Sequence, residues 1–234
     1  MITCSEIACG NVTARCPSVR VKSIAAICVV CVLLAAATAC LGADSGPREV
    51  DLLLRGGILA DGTADPPVVG DLAIKGDRIV AVGRFEGRAK LVIDCHGKVV
   101  APGFIDLHNH SDSRIVEPQT RLARNYLTQG CTTIVTGNCG GGKLDVADYL
   151  GQVEQHGAGV NVVHLIPQGS LRRRVVGPGK RPPTTKELEQ MKRLVARGMR
   201  EGAWGMSTGL MYVPGAYATT KEIVELARVV AAHG

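Results

Sequence analysis

The pattern of hydrophobic and polar residues changes near residue 100. Before that point, short apolar runs alternate with tight turns that contain glycine and aspartate, such as Gly56-Gly57 and Gly76-Asp77. Short apolar runs bounded by such turns are typical of β-strands. The strands are expected at residues 50–54, 58–60, 71–75, 78–83 and 91–94. We therefore predict a small antiparallel β domain of the sandwich type over residues 41–100.

After residue 100 the pattern becomes one of strands that alternate with amphipathic helices. Strands are expected at 104–107, 132–136, 160–165 and 203–206, and helices at 120–129, 144–155, 184–199 and 219–232. Repeated strand–helix units imply a parallel sheet, either doubly wound or closed into a barrel. An α/β barrel closes with eight such units. Residues 101–234 are thus expected to form the first half of a TIM-like (β/α)8 barrel, which is left incomplete.

Residues 1–40 differ in composition from the rest of the chain. Basic residues precede an apolar run at 24–37, and small residues follow it up to Cys40. A basic region, an apolar region and small residues in this order indicate a secretory signal peptide. We expect an exported protein, periplasmic or extracellular. Lipidation of Cys40, which would attach the protein to a membrane, is the alternative, because the segment also resembles a bacterial lipobox.

Overall composition and charge are those of a globular protein. Hydrophobic residues make up 46% of the chain and charged residues 21%, and the formal net charge is +6. No aromatic residues interleave the basic run Arg172-Arg173-Arg174, so we interpret it as a solvent-exposed helix start and predict no nucleic-acid binding. Six of the nine cysteines lie in the first 40 residues. The other three, Cys95, Cys131 and Cys139, are too few for a disulfide framework, which suggests another use for at least one of them.

Two histidines stand two residues apart in the stretch from Asp106 to His110, on the first predicted strand of the barrel. Side chains of a strand alternate between its two faces, so His108 and His110 should point the same way, together with Asp106. Two neutral imidazoles that converge make half of a site for a divalent metal. The alternative is that they are two unrelated surface histidines.

The segment after the second barrel strand, from Gly137 to Lys143, has two interpretations. Its glycines and lysine fit a phosphate-binding loop, but Leu144 stands where that loop needs a Ser or Thr for magnesium. The other interpretation makes Cys139 a metal ligand. Cys139 lies at the carboxyl end of the strand that follows the histidine strand. In a parallel barrel, the cysteine and the histidine pair would therefore lie at the same end of the barrel. A small buried cysteine with no ligand role is a third alternative.

The sequence around these residues resembles a known family. The stretch 101–110 resembles the first-strand signature of the amidohydrolase superfamily. The segments 137–140 and 207–215 are similar to its D-aminoacylase branch, the N-acyl-D-amino-acid deacylases. The histidine pair fixes only the superfamily, whereas the cysteine loop and the Ser-Thr-Gly-Leu segment are more specific. The similarity covers everything except the leader.

The resemblance implies a zinc-dependent hydrolase that cleaves the amide bond of N-acyl-D-amino acids. His108, His110 and Cys139 would bind Zn²⁺, with Cys139 in place of the carboxylated lysine of related hydrolases. Zinc would polarise the amide carbonyl and activate water. Tyr212 would contact the small-molecule substrate, with a packing role in its loop as the alternative. Arg172, in the loop after the third strand, would also contact the substrate.

The family also supplies two further metal histidines and a catalytic aspartate from later strands. We expect that aspartate to lie beyond Gly234, so the chain is expected to be an inactive N-terminal fragment of the enzyme. Two other functions stay open on the sequence. One is another amidohydrolase activity, on cyclic amides as in dihydropyrimidinases and hydantoinases, or as a deaminase. The other is a non-catalytic exported module.

Overall fold

The computed structural model describes residues 49–233. The predicted signal peptide and Cys40 lie outside the described residues, so export and lipidation stay predictions. Within residues 49–233, no helix combines the length and the hydropathy that a membrane span requires. The described chain divides into two units, one formed by residues 49–59 and 68–99 and the other by residues 60–67 and 100–233.

The first unit is a β-sheet whose strands follow the order β3-β2-β1-β4. The strands are β1 (Glu49–Leu59), β2 (Val68–Lys75), β3 (Arg78–Gly83) and β4 (Arg88–Asp94), and the short β5 (Val99–Val100) follows at the end of the unit. β1 is antiparallel to β2 but parallel to β4. The prediction of a purely antiparallel unit is therefore wrong, because the chain crosses from β3 at one edge to β4 at the other.

The two strands predicted at 50–54 and 58–60 are a single strand, β1. The pairing register shifts between Leu54 and Gly57, and Gly56 has a φ of 66°. A glycine at positive φ is typical of a bulge, which lets the strand continue through the residues predicted as a turn. Val50, Leu53 and Ala73 are buried and form the core of this unit.

The second unit is built from parallel strands and helices. Its strands are β6 (Phe104–Asp106), β7 (Cys131–Thr136), β8 (Asn161–His164), β9 (Ile166–Pro167) and β10 (Met206–Ser207). Its helices are α1 (Arg124–Leu127), α2 (Val146–His156), α3 (Gln168–Val175), α4 (Thr185–Arg200) and α5 (Thr220–Ala231). β6, β7 and β8 form one parallel sheet, and β9 pairs in parallel with β10. This is the predicted α/β architecture, and the described strands form part of a barrel without closing one.

The two long helices begin where the sequence predicts. Thr184 caps α4: its hydroxyl accepts a hydrogen bond from the Glu187 backbone N–H, and the Glu187 carboxylate accepts one from the Thr184 backbone N–H in return. Thr219 caps α5 by accepting from the backbone of Glu222. Such caps stabilise a helix by ~1 kcal/mol each.

Three local predictions differ from the structure. The helix predicted at 120–129 is a single turn, α1, preceded by Ala123 in the left-handed conformation at a φ of 48°. The strand predicted at 203–206 is displaced to β10, because Gly202 and Gly205 both have positive φ values that interrupt an extended chain. Helix α3 contains the arginine run, which agrees with the helix predicted for the run but not with the loop predicted for Arg172.

Two clusters of buried apolar side chains support the strand ends of this unit. One lies among α2, α3, α4 and α5 and consists of Val146, Ile166, Leu171, Val176, Met191, Val195, Ala203 and Leu226. The other packs against β7 and consists of Ile115, Ala123, Ile134, Tyr149 and Val160. Burial of this kind contributes ~1.5–3 kcal/mol for each large side chain. The segments around β7 and β9 are therefore held by a packed core.

Candidate metal centre and adjoining cleft

Three side chains of the kind that bind metals converge after the carboxyl ends of β6 and β7. Nε2 of His108 lies 3.1 Å from Sγ of Cys139. The donor atoms of His108, His110 and Cys139 all lie within 4.8 Å of one another. This is the one group of three or more such residues found among residues 49–233. The structure thus brings together the three residues that the sequence predicts as ligands.

The histidines reach this position from a loop rather than from a strand. β6 ends at Asp106, and both imidazoles lie beyond it and are exposed. The Asp106 carboxylate accepts a hydrogen bond from the backbone N–H of His108 at 3.1 Å. Such a local bond to the backbone competes with strand pairing. Strand alternation therefore does not position the two imidazoles, and Asp106 is not among the clustered donors, because its carboxylate bonds the backbone of the loop.

Cys139 occupies a tight turn with an uncommon backbone conformation. The turn Asn138–Gly140 is a single 3-10 turn, and Cys139 within it has φ 53° and ψ 28°. A residue other than glycine rarely adopts this left-handed conformation, which costs ~1–3 kcal/mol. Such a conformation persists when contacts with the surrounding structure hold the residue in place. For Cys139, these contacts are hydrogen bonds to both ends of the turn and close packing of the backbone.

Ser207 on β10 holds both ends of the turn that carries Cys139. Its Oγ accepts a hydrogen bond from the backbone N–H of Gly140 at 3.0 Å and donates one to the carbonyl of Gly137. The buried carboxylate of Asp112 also accepts a hydrogen bond from the backbone N–H of Gly137, at 2.8 Å. The polar groups on both sides of Cys139 are therefore satisfied by partners distant in sequence.

Close backbone packing fixes the same turn. A Cβ atom added to Gly209 would lie 1.9 Å from the carbonyl oxygen of Cys139, and one added to Gly137 would lie 2.1 Å from that of Leu165. Both separations are far below van der Waals contact, so only glycine fits at these positions. The Ser-Thr-Gly segment that begins at the last residue of β10 therefore packs against the cysteine turn.

A buried hydrogen-bonded network lies beneath the turn. Nε2 of His164 is 2.8 Å from the carbonyl of Lys143, which can only accept, so we assign the proton to Nε2. Nδ1 then accepts from the hydroxyl of Thr136 at 2.9 Å. Burial lowers the pKa of His164, against the opposing effects of the Lys143 carbonyl and the Asp112 carboxylate. Burial also raises the pKa of Tyr149, whose hydroxyl donates to Thr136, to about 12. The network anchors the end of β7.

A cleft of about 290 Å³ adjoins the donor atoms. It is lined by His110 and Cys139, by several glycines, and by Tyr212 and Arg173. Tyr212 is 56% exposed, and the structure places this predicted substrate-contacting residue on the cleft wall. An open space of this size, next to metal-type donors, can admit a small molecule.

Arg172 lies away from that cleft. It is on helix α3 and fully buried, and its guanidinium forms an ion pair with Glu222 of α5. Gln168 also donates to the Glu222 carboxylate, at 2.9 Å. The predictions that Arg172 lies in a loop and that it is solvent-exposed are therefore wrong, and the structure places this predicted substrate-contacting residue outside the lining of the cleft. Its partner stands fifty residues further along the chain, which no local pattern reveals. The neighbouring Arg173 is the arginine that lines the cleft.

The loop from Gly137 to Lys143 does not have the arrangement of a phosphate-binding loop. Such a loop leads directly into a helix, but α2 begins at Val146. Between them the carbonyl of Lys143 faces the buried ring of His164. The geometry favours the interpretation of this segment as the support of Cys139.

Parallel strands followed by metal-type donors at their carboxyl ends are features of the α/β-barrel class of proteins. The amidohydrolase family model matches residues 91–233, more than half of the sequence. The chain therefore belongs to the amidohydrolase family. This confirms the superfamily inferred from the histidine pair and its preceding strand.

Individual relatives agree with this assignment and with the D-aminoacylase branch. D-aminoacylase of Alcaligenes xylosoxydans xylosoxydans is 38% identical over 215 residues, covering 82% of this chain and 44% of that protein. N-acyl-D-aspartate deacylase of the same organism is 35% identical, covering 78% of this chain and 41% of the relative. This chain spans less than half the length of these relatives.

Solved structures show the same likeness. A crystal structure of D-aminoacylase superposes with a TM-score of 0.75 at 35% identity, covering 79% of this chain and 44% of that one. N-acyl-D-glutamate deacylase of Bordetella bronchiseptica, complexed with zinc and a phosphonate inhibitor, gives a TM-score of 0.74 at 33% identity, covering 79% and 43% of the two chains. L-Hydantoinase of Arthrobacter aurescens, at 19% identity and a TM-score of 0.51, shares the fold.

Proposed function

We propose that this chain is part of a zinc-dependent hydrolase that cleaves the amide bond of N-acyl-D-amino acids. The observation that carries the proposal is the convergence of two imidazoles and one thiol within 4.8 Å. Nitrogen and sulfur donors suit zinc, whereas magnesium and calcium prefer oxygen. The relatives named as deacylases of N-acyl-D-amino acids support the substrate class.

The donor set fits a single zinc ion. Zinc bonds of ~2.0 Å to nitrogen and ~2.3 Å to sulfur put two tetrahedral ligands ~3.6 Å apart. The 3.1 Å between Nε2 of His108 and Sγ of Cys139 is within half an ångström of that value. When bound, zinc would polarise the amide carbonyl and lower the pKa of a water molecule.

We assign separate roles in metal binding and substrate binding to the residues around the site. His108, His110 and Cys139 bind the metal, and the glycine backbone around Cys139 lets the amide of the substrate approach closely. Tyr212 contacts the substrate from the cleft wall. No carboxylate accompanies the three donors in the described part of the chain. We therefore propose that these residues bind metal and ligand, and that turnover needs a proton-transferring group beyond this cluster.

Ligand binding tests the substrate class without requiring turnover. The zinc-loaded and metal-free forms of the chain are titrated with N-acetyl-D-leucine, N-acetyl-L-leucine and hydantoin by calorimetry. We expect tighter binding of the D enantiomer, and only with zinc present. Equal binding of both enantiomers, or preferred binding of hydantoin, would contradict the proposal and favour the cyclic-amide alternative.

Export is proposed on the leader sequence alone. Expression of the whole chain in a bacterial host should yield a periplasmic product that has lost residues 1–40 as a signal peptide, as judged by intact mass. A mass increase that disappears in Cys40→Ser would identify lipidation instead. A full-length product in the cytosol would contradict export.

A further inference from the structure

Three consecutive arginines on helix α3 have three different environments. Arg172 is buried and paired with Glu222. Arg174 donates to both carboxylate oxygens of Asp145, at 2.9 and 2.8 Å, and holds the pKa of that carboxyl at about 2. Arg173 differs from both, because no ion pair with a carboxylate is found for it among residues 49–233.

Arg173 lies instead on the wall of the cleft beside the metal donors. Of the side chains that line this cleft in the described part of the chain, only Arg173 carries a permanent positive charge. The other lining side chains are polar neutral groups, apolar groups, His110 and Cys139. A cationic side chain without a protein carboxylate, facing a cleft next to a metal site, is suited to an anionic ligand.

The arginine is also held in place. Its Nη2 donates a hydrogen bond to the carbonyl of Val213 at 3.0 Å, and Val213 lines the same cleft. A guanidinium has five N–H donors in a planar fork, so one bond to a carbonyl leaves the others for a ligand. This fork matches the two oxygens of a carboxylate.

We propose that Arg173 binds a carboxylate of the substrate and thereby determines specificity in the cleft. This rests on the proposed function, since every N-acyl-amino acid carries an α-carboxylate close to its amide. An acidic amino acid carries a second carboxylate on its side chain. Both groups offer the same chemistry to the guanidinium, and the ligands below separate them.

The test uses the zinc-loaded chain and three ligands. N-acetyl-D-leucine has one carboxylate, N-acetyl-D-glutamate has two, and N-acetyl-D-leucinamide has none. Dissociation constants are measured by calorimetry for the wild type, for Arg173→Gln and for the matched control Arg174→Gln. Zinc content and circular dichroism establish that each variant is folded and loaded.

We expect Arg173→Gln to weaken the carboxylate ligands by ~10-fold or more, as for loss of a charge-assisted hydrogen bond, and to leave the leucinamide unchanged. Arg174→Gln should bind all three as the wild type does. Equal loss for the leucine and glutamate compounds identifies the α-carboxylate, and loss for glutamate alone identifies the side chain.

Two results would overturn the inference while the proposed function stands. One is wild-type affinity of Arg173→Gln for all three ligands, and the other is an equal loss for the leucinamide. A different result separates the two proposals: if the zinc-loaded wild type binds none of the N-acyl-D-amino acids, the proposed function fails, and the carboxylate site fails with it.

Discussion

The two sides of the candidate metal centre are held in different ways. Cys139 sits in a strained turn that is fixed by Ser207, Asp112 and close glycine contacts. His108 and His110 are exposed and lie in a loop whose Leu107 is 71% exposed. Within residues 49–233, more contacts between distant segments therefore fix the cysteine side than the histidine side. We therefore expect substitutions around Cys139 to control metal affinity.

Removal of the thiol should have the largest effect. Cys139→Ser replaces a strong zinc ligand by a weak one while keeping the size of the side chain. Loss of a group that only supports a metal ligand can reduce metal affinity by ~100-fold. We expect loss of the thiol ligand itself to reduce zinc affinity by more than that. The measurement is competition for zinc with a chelating dye.

Cys131 provides the matched control for that substitution. It is a free cysteine on β7 and is not part of the donor cluster. Cys131→Ser should bind zinc as the wild type does. An equal loss of zinc affinity in both serine variants would contradict the assignment of Cys139 as the thiol ligand.

Gly209→Ala should break the packing that holds Cys139 without touching a donor atom. Its Cβ would meet the Cys139 carbonyl at 1.9 Å, and since both are backbone, the turn must move. We expect zinc affinity to fall by up to ~100-fold, with an overpacking cost of ~1–3 kcal/mol in the free energy of unfolding.

Gly141, in the loop that carries Cys139, is the control for Gly209. A Cβ there would meet nothing within 4 Å. Gly141→Ala should therefore leave both zinc affinity and the denaturant midpoint near wild type. Zinc affinity that is unchanged in Gly209→Ala would show that the position of the turn does not matter to the metal.

Ser207→Ala should have a smaller effect on zinc. It removes the hydroxyl that joins the two ends of the cysteine turn, but the glycine contacts remain. The expected loss is ~10-fold in zinc affinity. Ser170→Ala is the comparison, because within residues 49–233 its hydroxyl bonds the carbonyl of Gly142, beyond the turn. Equal effects of the two variants would contradict a special role for Ser207.

The buried network beneath Cys139 should produce the smallest effect, a dependence of stability on pH. Burial lowers the pKa of His164, so the unfolded chain takes up the proton more readily than the folded chain. The stability contributed by the neutral ring is present above the unfolded pKa of about 6.5 and is lost as the pH falls through the lower folded value.

This dependence can be measured on the metal-free chain by denaturant unfolding between pH 8 and pH 5. His164→Gln should remove this part of the slope, whereas the control His156→Gln, at an exposed position, should keep it. If the free energy of unfolding of His164→Gln depended on pH as it does in the wild type, the pH dependence would belong to other groups.

Much of the metal centre follows from the sequence because the relevant patterns are local. The histidine pair and Cys139 each follow a recognisable strand, and neighbouring parallel strands end at one rim. β6 and β7 do pair in parallel. The threonine caps of α4 and α5 are likewise short-range signals, and both are present.

The rest depends on contacts between distant segments. Ser207 meets the cysteine turn across about seventy residues, and Arg172 meets Glu222 across fifty. In the arginine run, the face of α3 that packs against α5 decides which residue is buried and which lines the cleft. Three identical residues in a row contain no signal that separates Arg172 from Arg173. The sequence pattern here indicates that an arginine serves the site, but it does not indicate which of the three arginines does so.

The most direct test of the account is the absorption spectrum of the chain loaded with cobalt(II) in place of zinc. If Cys139 and the two histidines bind one ion, the spectrum should contain a thiolate-to-cobalt charge-transfer band. That band should persist in Cys131→Ser and disappear in Cys139→Ser. Stoichiometric cobalt binding without the band, or a band that survives in Cys139→Ser, would contradict the shared metal site.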